Sequence, residues 1–225
     1  MADRYKRLAT PASAVVMVGG VVTAFLMPQT PDTTASGQTV IAFFHAHHTA
    51  MYVAAFSVAY AAVAAVLFFV SVAYYLRTRG SQILAATTAI GGVVFASGAL
   101  LGAGLLVSAN DAPGRMTADV AKTLNILQDD VFFLAVIAGL GIAVLSIGVA
   151  SLRTKALPKW LGIVTTIVGV VALSGIGSWF GFMASGLLTL VVAGYVYQAL
   201  GRPTEITMPD IPAQATAATS TQVKA

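Results

Sequence analysis

Long apolar runs separated by short polar joints dominate the chain, and their lengths set the scale of the fold. The runs cover residues 12–27, 49–76, 83–107, 131–150, 157–173 and 180–200. A helix needs roughly 20 apolar residues to cross the hydrocarbon core of a bilayer, and there the backbone must satisfy its own hydrogen bonds. The pattern therefore predicts an all-α polytopic membrane helix bundle of about six transmembrane helices, spread over residues 1–202. Residues 203–225 are rich in Thr, Ala, Gln and Pro without apolar periodicity, which predicts a disordered cytoplasmic tail.

Two of the helices are expected to outrun the membrane. Met116, Val120, Leu124, Leu127 and Val131 recur at helical steps. Thr117 is a suitable cap, and neither Gly nor Pro interrupts the chain before Gly139. A helix from Thr117 to Ala150 would be about 50 Å long at about 1.5 Å per residue, so its first third should stand outside the bilayer. There Lys122, Asn125 and Asp129 form a polar stripe, with Gln128 beside it and Asp130 round the helix; the simplest reading is a solvated face. The second long helix is expected to run unbroken from about Val40 to Leu76, with His45 and His48 on one face and His47 elsewhere.

Charge then orients the predicted spans. Only 9% of residues are charged and 58% are hydrophobic, where a soluble domain carries about 25% charged residues. The net charge of +4 sits in clusters beside the apolar runs, which marks topology determinants and not a nucleic-acid face. The amino terminus, residues 77–82, residues 153–159 and the tail hold every Lys and Arg except Arg115 and Lys122. Lys and Arg are retained on the cytoplasmic side, so both termini are expected inside (N-in/C-in), in a plasma membrane. Trp160, Tyr74, Tyr75, Tyr195 and Tyr197 would mark the inner interface, and Trp179 and Tyr52 the outer. A basic start, an apolar run and small residues near Thr33 and Ala35 also fit a signal peptide, although the run is long for one and the cleavage site far beyond it.

The candidate chemistry is sparse. Without cysteine there are no disulfides, thiolate metal sites or thiol nucleophiles. All three histidines lie in His45-Ala46-His47-His48. With Asp129 and Asp130 expected at similar depth on the same side, His45 and His48 could supply donors for a divalent metal. The spacing matches no established metal motif. A bis-histidine haem would need a ligand on a second helix, and membrane di-iron hydroxylases need several histidine boxes, so no cofactor is expected. No ionisable residue lies in the middle of a span, where proton and ion pathways usually place one. A transport path would have to use groups such as Ser57, Tyr60, Ser97, Thr165 and Thr166.

Small residues are abundant, including Gly91, Gly92 and the Gly98-Ala-Leu-Leu-Gly102 repeat. They suit close helix packing within the chain or, alternatively, homo-oligomer contacts. No phosphate loop, nucleophile elbow or HExxH is present. Three functions follow from these features. The first is a non-enzymatic membrane protein that packs with lipid or a partner and holds a hydrophobic small molecule. The second is a transporter or channel with a charge-free polar path. The third is a metal-dependent enzyme at the outer face.

The stretch Ala156-Leu-Pro-Lys-Trp-Leu-Gly162, which opens the fifth run, resembles an uncharacterised family of bacterial multi-pass membrane proteins known as a domain of unknown function. Residues 124–133 and 175–182 also resemble members of that family from high-GC bacteria. The resemblance implies a membrane bundle and no particular activity, cofactor or site residue.

Overall fold

The computed structural model describes residues 2–111, 114–175 and 177–201. The expected tail 203–225 lies outside the described residues. Within them the fold is all helical, an α-bundle with the element order α1 (Ala2–Leu26), α2 (Gly37–Ala46), α3 (His48–Thr78), α4 (Gln82–Asp111), α5 (Ala118–Val131), a π-helical stretch (Phe132–Ile137), α6 (Ala138–Thr154), α7 (Lys159–Leu173) and α8 (Ser178–Gly201). Among the described residues five helical runs are long and apolar enough to cross a membrane, and α7, at 15 residues, is a shorter apolar helix. The predicted spans coincide with these helical runs, except that 12–27 runs one residue past α1 and 157–173 begins two residues before α7.

The long fourth run is one continuous rod from Ala118 to Thr154, 37 residues. Thr117 caps it as its sequence implies, the hydroxyl accepting from the Val120 N–H at 3.4 Å. What the sequence does not announce is the π-helical stretch where the rod enters its apolar part. There the wider winding re-aims Phe132 and Val136 relative to the turns before and after.

The other long helix is broken, which corrects the expectation of an unbroken run from Val40. His47 leaves helical geometry (φ −119°, ψ 22°), so that α2 and α3 are separate elements. Two groups of His47 satisfy the end of α2. Its N–H donates to the Phe43 carbonyl at 3.0 Å, and its ring Nδ1 lies 3.0 Å from the same oxygen. A carbonyl only accepts, so Nδ1 carries the proton in that bond. The ring also lies on Phe43, centroids 4.5 Å apart. Freed from α3, the α2 helix folds over α5: Val40 and Phe44 are buried with Met51, Leu106 and Ala121. At Gly37 the backbones approach so closely that a Cβ would overlap the Ala118 carbonyl.

A second and larger core joins α1, α3, α4, α6, α7 and α8 through Phe68, Phe69, Phe95, Leu140, Leu161 and Val196, among others. Glycine lets the helices close there. A Cβ on Gly91 would come within 2.7 Å of the Ala143 nitrogen, one on Gly139 would strike the Phe95 backbone, and one on Gly169 would lie 2.5 Å from the Leu145 nitrogen. At the end of the bundle bearing the Arg and Lys clusters, Tyr75 is buried and its hydroxyl donates to the Ala156 carbonyl at 2.7 Å, fixing the entry to α7. Tyr75 is thus packed into the protein at that end and not exposed on its surface.

Candidate functional site

Between the two cores, where α1, α3, α4, the π-helical stretch and α8 diverge, lies a cavity of about 320 Å³. Along α3 its wall runs from Met51 to Ala62 and along α4 from Phe95 to Leu106, each about 16 Å by the helical rise of about 1.5 Å per residue. The volume is about twice that of the roughly 150 Å³ apolar cavity that admits benzene, and it falls within the range of small-molecule sites. Its walls are small or aromatic: Ala54, Ala61, Ala99, Gly102 and Ala103 leave the space, and Phe25, Phe95, Phe132 and Phe182 border it. Phe25, Phe132 and Phe182 form an aromatic group with Trp179, with Phe25 to Trp179 at 5.2 Å and Phe132 to Phe182 at 5.3 Å.

Polar groups gather at one end only: Gln29, Thr30, Gln128 and Asp129, with Trp179 beside them. The loop after α1 is held in place from within. The Gln29 amide donates to the Met27 carbonyl at 3.0 Å, and the Asn125 amide of α5 reaches the Pro31 carbonyl at 2.9 Å. Asn125 is buried, so the polar stripe on α5 is not simply a solvated face. Its middle member pins the loop that forms the rim, and Asp129, one helical turn further, stands at the cavity. Among the described residues Asp129 is the only ionisable side chain in the lining.

The rim carboxylates differ in environment. Asp32 accepts from the Thr34 hydroxyl at 2.7 Å and the Thr34 N–H at 2.8 Å, which holds its pKa below the usual carboxylate range. Asp129 is pushed up, first by burial against the apolar wall and then by the negative charges of Asp130 and Asp32. Among the described residues no cation acts on it. It lies in α5, before the apolar run that begins at Val131, and retains contact with water.

The metal candidates His45, His48, Asp129 and Asp130 are not brought together. Among the described residues no three His, Asp or Glu side chains are placed to hold a metal ion. His45 leaves with α2 to lie beside Gly114, where a Cβ would be 3.8 Å from its ring. His48 stays on α3 against Tyr52, centroids 4.9 Å apart, and Tyr52 donates to Asp111. Tyr60 and Ser97 face outward, while Thr165 and Thr166 donate to their own helix at the Leu161 and Gly162 carbonyls, 2.7 and 2.8 Å away.

Asp129 lies at the cavity with Gln29 and Thr30, which no sequence motif marks, and with Trp179, expected only as an interfacial aromatic. The signal available for them was their position, just beyond the outer ends of two apolar runs. No protein-family model, curated protein or solved structure matches the chain.

Proposed function

We propose that this chain is a multi-pass protein of the plasma membrane, with both termini on the cytoplasmic side, that holds an apolar small molecule in the cavity among α1, α3, α4, the π-helical stretch and α8. The observation that carries the reading is the cavity itself, about 320 Å³ of space walled by alanine, glycine and aromatic side chains. Empty apolar space forfeits packing contacts, so a void of this size beside lipid invites an apolar guest. The orientation rests on the Lys and Arg clusters at the end of the bundle opposite Asp129.

Gly102 supplies the test, because it lines the cavity and a Cβ there meets nothing within 4 Å. In lipid nanodiscs, Gly102→Leu should remove saturable binding of a small apolar probe such as decanol while the helical content stays unchanged. Equal saturable binding by the wild type and the variant would refute the reading. Reporter fusions after Arg79 and Gly201 should both signal cytoplasmic; an external signal at either would refute the orientation.

A further inference from the structure

The cavity has one charged wall, and that wall indicates the kind of head group its guest carries. This deepening rests on the reading of the cavity as a ligand site. Three of the polar groups near the mouth already have partners. The Gln29 amide is engaged with the backbone of its own helix end, the Asp32 carboxylate is taken by Thr34, and the Asn125 amide is taken by Pro31. Asp129 differs: it is exposed to water at the mouth, and among the described residues no hydrogen bond or opposite charge engages it, while the charged groups that face it, Asp130 on its own helix and Asp32 on the rim loop, have the same sign. Trp179 stands at the same mouth, 43% exposed, with its ring stacked at 6.0 Å on Phe182.

A carboxylate lacking a countercharge and an indole at the same opening both favour a cation, the first by charge and the second through the negative face of its ring. Below them the lining is apolar for about 16 Å along the helices. We propose that the guest is a cationic amphiphile: an unbranched or flat apolar body lodged between α3 and α4, with an ammonium head held by Asp129 and Trp179. A carboxylate head would meet Asp129, Asp130 and Asp32 together and be repelled. A hydroxyl head would fit but gain no charge pairing.

The test uses the full chain carrying Trp160→Phe, which leaves Trp179 as the only tryptophan, in nanodiscs of zwitterionic phosphatidylcholine. Decylamine, decanol and decanoate are titrated against Trp179 fluorescence, with Gly102→Leu as the filled-cavity control. Decylamine should half-saturate at a concentration about tenfold lower than decanol, and decanoate should bind more weakly than either. Asp129→Asn should bring the amine-to-alcohol ratio to about one, and Asp129→Glu should restore part of the preference. If decylamine and decanol bind alike in the wild type, or if Asp129→Asn keeps the preference, the cationic head is wrong. The cavity reading then stands, provided Gly102→Leu still removes decanol binding. If no ligand shows binding that depends on Gly102, both readings fall.

Discussion

Gly139 and Gly102 belong to the same helix neighbourhood and are the same residue, yet the structure uses them in opposite ways. At Gly139 the α4 and α6 backbones touch, and even a methyl group would overlap Phe95. Three turns further along α4 from Gly91, the partner of Gly139 across that seam, Gly102 looks into open space. Between these levels lies the π-helical stretch, and Gly98 there still packs on Ala135. Small residues therefore do two jobs in one bundle. Where helix axes converge they permit contact, and where the axes diverge they leave a void that a larger side chain would have filled.

The sharpest way to break this comparison is to place the same side chain in both positions. Gly139→Leu should destabilise the protein by about 3 kcal/mol, the upper part of the usual range for overpacking, because backbone and not a flexible side chain stands in its way. Gly102→Leu should change stability in the other direction, by about 1 kcal/mol, since it removes a helix-interior glycine and meets nothing. Unfolding by a denaturing detergent, read by circular dichroism, measures both. Two changes of the same sign would mean that the seam and the cavity are not distinct environments.

A smaller effect is expected at the far end of the bundle. Tyr75→Phe keeps the ring in its buried place and deletes the bond to the Ala156 carbonyl, leaving that acceptor without its donor. The loss should be about 1 kcal/mol, with no change in probe binding at the cavity. Altered probe binding would show that the two ends communicate.

How far these features can be read from the sequence depends on whether the physics is local. The cap at Thr117 and the rod that follows it are local: a hydroxyl at the right place, a helical apolar stripe, no breaker before Gly139. The break at His47 is not, because neither Gly nor Pro marks it. It is stabilised by the His47 ring closing on Phe43 and by Val40 and Phe44 finding α5, contacts that appear only once the chain is folded. An unbroken helix would carry His45 and His48 on one face; the break puts His45 on α2 and His48 on α3. The Gly98-Ala-Leu-Leu-Gly102 repeat is visible as a motif, but its two glycines have different fates, one packed on Ala135 and one open. Only the divergence of the helices decides which is which.

The smallest expected effect concerns the charge at the cavity mouth, and it ties the open region to its function. Because burial and the charges of Asp130 and Asp32 raise the Asp129 pKa above the ordinary carboxylate range, the folded state holds that proton to a higher pH than the unfolded chain does. Between the two pKa values the native state binds more protons, so stability falls as pH rises through the window. Asp129→Asn should therefore raise the midpoint of unfolding slightly at neutral pH in the ligand-free protein, and the gain should vanish at a pH below the unfolded-state value. Asp32 has the opposite sign. Its lowered pKa contributes stability above the unfolded-state value that is lost as pH falls through the folded one, so Asp32→Asn should lower the midpoint at neutral pH. Binding of an ammonium guest requires the Asp129 carboxylate and should weaken as pH falls, beginning at a higher pH than an ordinary carboxylate would give. Thermal unfolding of the two variants across pH, with and without decylamine, separates these effects. A ligand-free Asp129→Asn protein less stable than the wild type at neutral pH would mean that a partner already satisfies the carboxylate, and the charged wall would then not be waiting for a guest.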